Sequence, residues 1–238
     1  MKRALSNGDT MTKEQQLLEK RNSGHKAAEF VEDGMVLGLG TGSTVYYFLE
    51  ALRDRIREEK LEIIGIPTSI ATHKQAQEWQ IPLTTLAEQP QIDLTVDGAD
   101  EMDHEFNLIK GGGGALVREK IVAAASKREL IIMDSSKYVN VLGAFPLPVE
   151  VVQYGIEATT LKLERFCPEL KLRKKEGKPF VTDNGNYILD CAFGQIPNPG
   201  VLETTLDLIP GVVECGLFVG LSDLAVIGRG KAVEVLRK

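Results

Sequence analysis

The sequence predicts an α/β fold: a Rossmann-like parallel sheet covered by helices, with a smaller inserted α+β domain of ferredoxin-like order. Three observations predict it. Short apolar runs alternate with amphipathic stretches up to residue 137, and strands apolar on both faces belong to parallel sheets covered on two sides. Two prolines flanking a leucine in "FPLPVEV" (145–151) then interrupt the alternation. Beyond them the order becomes strand-helix-strand-strand-helix-strand, the split βαβ arrangement.

The elements follow in order. "KEQQLLEKRNSGHKAAEFV" has helical spacing, with Leu17, Leu18, Ala27, Ala28 and Val31 on related faces, and Gly34 closes it. "MVLGLG" (35–40) is a short apolar strand. "STVYYFLEALRDRIREE" (43–59) is an amphipathic helix opening on a Ser/Thr cap. "LEIIGIP" is a strand, "SIATHKQAQEWQ" a helix and "IPLTTL" an extended run. "QIDLTVDGADE" is an apolar strand running into acidic residues. A helix follows the glycines at 111–114, and "ELIIMDSSK" is a buried strand with a polar end. The smaller domain reads as strand 148–153, helix 155–166, strand 170–175, a strand around "FVTDNGNYILDCAF", helix 199–208 and strand 211–219. Within it "DNGN" (183–186) signals a tight turn. "LAVIG" (224–228) is a last strand returning to the first sheet. The expected organisation is a polar leader (1–12), a main α/β domain (13–146 and 220–238) and the smaller domain (147–219).

Composition bounds the function. The chain has 238 residues, 43% hydrophobic and 26% charged, which is ordinary for a globular protein able to bury a core. A net charge of −6 argues against a coat for nucleic acid or an anionic membrane, but leaves a small anionic substrate open. Cys167, Cys191 and Cys215 are scattered with no CxxC, so they read as reduced, buried apolar residues in a cytoplasmic protein. No apolar run approaches the roughly 20 residues that span a bilayer. The first segment lacks the apolar core of a signal peptide, and Met11 is an alternative start to the structured chain.

Three segments carry chemistry, each at a strand end, where open parallel sheets place ligands. "GLGTGST" (38–44) combines a tight glycine turn with a helix start and three hydroxyls, a combination suited to an anion. It is a poor dinucleotide fingerprint, because Ser43 stands where a third glycine belongs, and no Walker lysine follows. A helix-capping turn without ligand fits it equally. "DGADE" (97–101) clusters Asp97, Asp100 and Glu101. Metal binding, acid–base work on hydroxyl groups and plain helix capping all fit these residues. His104 nearby reads as a surface residue.

"KGGGGALVREK" (110–120) raises the sharpest question. A glycine run costs up to ~1 kcal/mol per residue against alanine in regular structure, and it can form a concave nest of N–H groups for developing negative charge. Lys110 adds a cation at its entry. In the following helix Glu119 shares a face with Leu116, Val122 and Ala123, so it is the charge set for desolvation, which raises a carboxylate pKa and suits a general base. A charge cluster on a solvated first turn is the alternative.

Together and in this order, "GLGTGST", "DGADE" and "KGGGGALVREK" resemble the ribose-5-phosphate isomerases of type A; "MDSSK" (133–137) and "FPLPVEV" match as well. The resemblance runs from about Gly34 to Gly228. It implies interconversion of ribose 5-phosphate and ribulose 5-phosphate, with no metal and no cofactor. It places phosphate and sugar binding on Thr41, Gly42, Ser43 and Thr44, an acidic loop on Asp97, Gly98, Ala99 and Asp100, and a lysine-glycine loop on Lys110, Gly111, Gly112 and Gly113. The general base falls on Glu119 and a further substrate contact on Lys137, with Asp97, Asp100 and Lys110 also in the chemistry. It implies a homodimer or homotetramer, a sugar phosphate as the only partner, and no nucleic acid or membrane. A nucleotide-binding oxidoreductase would need an acidic residue after the second strand, where "GIPTS" has none. A non-catalytic sugar-phosphate sensor would need a DNA-binding extension or basic arm, which the sequence lacks.

Overall fold

The computed structural model describes residues 11–167 and 169–238. The chain runs through α1 (Lys13–Ala28), β1 (Val36–Leu39), α2 (Ser43–Glu58), β2 (Ile64–Pro67), α3 (Ile70–Glu78), β3 (Leu94–Gly98), β4 (Glu101–Met102), β5 (Leu108–Ile109), α4 (Leu116–Ala124) and β6 (Glu129–Asp134). It continues through β7 (Leu147–Val151), α5 (Ile156–Leu163), β8 (Glu169–Leu172), β9 (Lys174–Lys175), β10 (Lys178–Pro179), β11 (Tyr187–Ala192), α6 (Pro199–Asp207), β12 (Val212–Cys215), β13 (Leu217–Phe218), β14 (Leu224–Arg229) and β15 (Ala232–Arg237).

The main sheet has the order β15-β14-β6-β3-β1-β2. From β14 to β2 the neighbours are parallel; only β15 is antiparallel, on β14. β6 is buried along its whole length, as a central strand covered on both faces must be. "LAVIG" does return to this sheet, as the strand beside β6. A second sheet, β12-β7-β11-β8, is antiparallel throughout, with α5 and α6 in the crossovers, which is the strand order of the split βαβ unit. Its core of Leu147, Val149, Leu189, Leu206 and Leu217 is separate from that of the main sheet.

Several local expectations are corrected. Leu17 and Leu18 are 52% and 39% exposed; α1 instead buries Glu19, Ser23, Gly24, Ala27 and Ala28. The reason is close packing on α2: a Cβ on Gly24 would lie 2.7 Å from the Phe48 nitrogen. Thr12 belongs to the ordered chain rather than to a leader, since it caps α1 in a reciprocal box with Gln15; residues 1–10 of that leader lie outside the described residues. "IPLTTL" makes a single bridge, Leu83 to Gly65. The strand expected at 170–175 breaks at Arg173, and β9 and β10 form a hairpin across Glu176-Gly177, both at positive φ, as a two-residue turn requires. The run 211–219 divides at Gly216, so β13 leaves the small sheet and joins β5 and β4. β15 was not foreseen.

This architecture puts three strand ends side by side. β1, β3 and β6 run parallel in adjacent register, so the residues after Leu39, around Gly98 and after Asp134 all emerge at one carboxyl edge.

Candidate active site

α2 opens on Gly42 at φ 120° and ψ 178° with no side-chain cap, so the expected Ser/Thr cap is not made. The first-turn N–H groups of such a helix have no intrahelical acceptor and present partial positive charge. Ser43 and Thr44 are the first two residues of the helix. From α1, Lys20 Nζ donates to Ser43 Oγ at 3.2 Å, adding a cation that the sequence reading missed. The Thr41 hydroxyl turns away into a cluster with Thr68, Ser69 and Thr72, at 2.8, 2.8 and 3.2 Å.

Thr41, Gly42, Ser43 and Thr44 line one wall of a cavity of about 210 Å³. Gly98, Ala99 and Asp100 form a second wall, Lys110 to Gly113 a third, and Glu119 and Lys137 complete it. Of the residues on which the resemblance places binding or catalysis, all are there except Asp97, which is fully buried behind the wall; Glu101 of the acidic cluster is buried elsewhere, accepting the N–H groups of Gly143 and Phe145 at 2.6 Å each. Asp97 therefore acts on the loops around the cavity in this structure. Its Oδ1 accepts the N–H groups of Thr41 (3.0 Å) and Gly98 (2.7 Å), which ties the first two loops together. Its Oδ2 lies 3.0 Å from Lys110 Nζ.

Lys110 is 1% exposed. Besides Asp97 it donates to the Gly98 carbonyl and lies 3.7 Å from Glu119 Oε1. Burial would lower its pKa, but the carboxylates of Asp97 and Glu119 outweigh burial and hold it above the ordinary lysine value. Glu119 is buried with Leu116, Val122 and Ala123, as the helical spacing required. Its Oε2 has no hydrogen-bond partner among the described residues. Burial raises the Glu119 pKa, Lys110 pulls it back, and Asp97, Asp100 and Glu129 push it further up. Its neighbours Arg118 and Lys120 point elsewhere, to Asp183 and to Glu203 and Glu214. Lys137 donates to the Ala99 carbonyl at 2.6 Å, and burial lowers its pKa.

The glycines have separate reasons. Gly111 and Gly114 adopt φ of 97° and 82°. At Gly112 a Cβ would stand 2.6 Å from Asp100 Oδ1, and the Gly112 N–H donates to Asp100 Oδ2 at 2.7 Å. A larger cavity, of about 500 Å³, lies between β2, α3 and α4. It is walled mainly by Ile66, Pro67, Ile70, Leu86, Ile121 and Val122 and lacks the clustered charges that proton transfer needs. Beneath the site Glu129 is buried with both carboxylate oxygens unpartnered among the described residues, and burial raises its pKa to about 8. His104 packs on Tyr138 at the surface, and the three cysteines are buried and free.

A helix start with no side-chain cap, a buried carboxylate with a free oxygen and a fixed ammonium at the carboxyl edge of a parallel sheet define an α/β enzyme whose site is suited to proton transfer on a small anionic substrate. Residues 64–232 match the family described as Ribose 5-phosphate isomerase A (phosphoriboisomerase A). The chain belongs to that family. It is 52% identical over 219 residues to the Ribose-5-phosphate isomerase A of Gloeobacter violaceus, covering 91% of this chain and 95% of the relative. It is 48% identical over 220 residues to that of Methanothermobacter thermautotrophicus, covering 92% and 97%. Among solved structures, ribose 5-phosphate isomerase A from Methanocaldococcus jannaschii superposes with a TM-score of 0.87 at 41% identity, covering 92% of this chain and 98% of that one. A D-ribose-5-phosphate isomerase in complex with phospho-erythronic acid superposes at 0.90 with 36% identity, covering 96% and 100%.

Proposed function

We infer that this chain interconverts D-ribose 5-phosphate and D-ribulose 5-phosphate, and that Glu119 carries the proton between C2 and C1 through an enediolate. The observation that carries the reading is the position of Glu119: buried, with Oε2 free and Oε1 beside Lys110. A desolvated carboxylate in the cavity wall is a base matched to a weakly acidic C–H.

In the open-chain aldose, Glu119 takes the proton from C2, a C1=C2 bond forms and the electrons of the C1 carbonyl move onto O1. The O2 proton passes to O1 while the enediolate stands, a relay assigned to Asp100 at the cavity wall. Collapse to the C2 ketone draws the proton from Glu119 back to C1, and the carboxylate is restored. Lys110 and the N–H groups of the glycine run supply fixed positive charge where the oxyanion grows, and such preorganised donors act without reorganising. Asp97 serves by holding Lys110. The phosphate docks at the start of α2, against Ser43, Thr44 and Lys20. The complex of a related enzyme with phospho-erythronic acid supports a sugar-phosphate substrate, since that acid combines a phosphate with a planar carboxylate resembling the enediolate.

The reading needs no metal, because Lys110 supplies the local cation. It carries with it a cytoplasmic location and assembly as a homodimer or homotetramer, the latter measurable by light scattering. The functional test is conversion of ribose 5-phosphate to ribulose 5-phosphate in excess EDTA, with unphosphorylated ribose alongside. Turnover of the phosphate ester alone, undiminished by chelator, is expected. Loss of turnover restored by Mg²⁺ or Mn²⁺ would move "DGADE" to a metal site.

A further inference from the structure

The glycine run is gripped from behind by the smaller sheet. Arg173, between β8 and β9, donates from Nη1 to the carbonyl oxygens of Gly111 at 2.7 Å and Gly112 at 3.2 Å. The other edge of its guanidinium holds Asp190 of β11, with Nε on Oδ2 at 3.0 Å and Nη2 on Oδ1. The backbone of Arg173 is fixed as well, its N–H on the Ile188 carbonyl and its own carbonyl accepting from Phe180, both at 2.9 Å. Neither Arg173 nor Asp190 lines the cavity.

Peptide geometry turns this grip into an orientation. The peptides here are trans, so each C=O points opposite to the N–H of the next residue. The plane joining Gly111 and Gly112 has its oxygen on Arg173 and its N–H on Asp100 Oδ2, at 2.7 Å. The plane joining Gly112 and Gly113 also has its oxygen on Arg173, so the Gly113 N–H faces the opposite way, and Gly113 is part of the cavity wall. Glycine has no Cβ to bias these planes, and both signs of φ are open to it. The orientation of the nest therefore depends on what holds its oxygens: the Gly114 N–H shares the Gly111 carbonyl with Arg173, at 2.9 Å, whereas the Gly112 carbonyl is held by Arg173.

We propose that Arg173 is a positioning residue for the isomerisation: by holding the Gly111 and Gly112 carbonyls it keeps the Gly112 N–H on Asp100 and aims the Gly113 N–H at the charge that develops on the substrate. Asp190 pins the guanidinium for this task. The proposal rests on the isomerase reading above. It gives the smaller sheet a part in the chemistry although none of its residues enters the cavity wall.

Arg173→Gln, Arg173→Lys and Asp190→Asn test it. Losing one oxyanion donor typically lowers kcat about 10²–10³-fold, and a misaimed donor is expected to lower it at least about tenfold in Arg173→Gln. KM for ribose 5-phosphate should stay within about threefold, because the phosphate end is untouched. Inhibition by inorganic phosphate should be unchanged, while inhibition by phospho-erythronic acid weakens in step with kcat/KM, as for a mimic of the reacting centre. Arg173→Lys should restore part of the loss, and Asp190→Asn should move the same quantities less. Folded variants with kcat within about twofold of the parent would overturn the proposal. So would phosphate and phospho-erythronic acid weakening together, or variants that all fail to fold, since either marks a tie that only holds two sheets together. A parent protein that does not turn over ribose 5-phosphate would instead contradict the isomerase reading itself.

Discussion

Lys110→Met keeps the stem of a fully buried side chain and deletes its charge. Nζ lies 3.0 Å from Asp97 Oδ2 and 3.7 Å from Glu119 Oε1. At an effective dielectric of about 20 these separations correspond to gross attractions of about 5.5 and about 4.5 kcal/mol. Desolvation of three buried ions offsets most of that in the intact protein. Removing only the cation leaves the carboxylates buried without it, and breaking a buried pair in this way typically costs ~3–5 kcal/mol. The loss must depend on pH. Without Lys110 the folded pKa of Glu119 rises further above its unfolded value, so the unfolded chain releases that proton first and stability falls as pH increases. Urea unfolding at about pH 5 and about pH 8, extrapolated linearly, reads both effects. The expected result is a loss of ~3–5 kcal/mol at the higher pH and a clearly smaller one at the lower, with part regained when Asp97→Asn is added. A loss below about 1 kcal/mol, the value of an exposed ion pair, or an equal loss at both pH values would refute the reasoning.

Because the pKa of Glu119 is raised and the base must be ionised, kcat/KM should fall as pH drops through a midpoint above the ordinary glutamate value of ~4.3; a midpoint at or below that value would place the base elsewhere. Ser43→Ala with Thr44→Ala should raise KM for ribose 5-phosphate more than it lowers kcat, because the phosphate does not change charge during proton transfer; an unchanged KM would move the phosphate toward Lys137. Glu129→Gln should stabilise the protein near pH 8 and change little near pH 4. The folded pKa of about 8 means that the native state holds a proton that the unfolded chain has released, so the parent loses stability across that interval; no gain at the higher pH would contradict the burial argument.

What was legible in the sequence was whatever rests on local pattern. The burial of Glu119 followed from the spacing of Leu116, Val122 and Ala123, and the cavity wall from glycine turns at strand ends. The parallel sheet followed from strands apolar on both faces. What failed depended on distant partners. Leu17 and Leu18 read as core, but α1 meets α2 through Gly24, and a close approach favours small residues over leucine. Asp97 and Asp100 were alike in sequence; only the burial of Lys110 beside Asp97 separates an ion-pair partner from a wall residue. Lys20 and Arg173 reach the site from segments with no motif of their own, Lys20 from α1 and Arg173 from 61 residues beyond Gly112. A charged residue that serves a site across the fold leaves no periodic signal in its own neighbourhood.

The central claim is that Glu119 moves the proton, and Glu119→Gln tests it most directly, with ribose 5-phosphate turnover measured beside phospho-erythronic acid binding on the same preparation. Glutamine preserves the shape of the side chain and removes its basicity. The account predicts a fall in kcat of about 10²–10⁴-fold, the usual cost of losing a general base, with the analogue still bound. Turnover above about a tenth of the parent value in a variant that binds the analogue would contradict it, and would assign the base to another group.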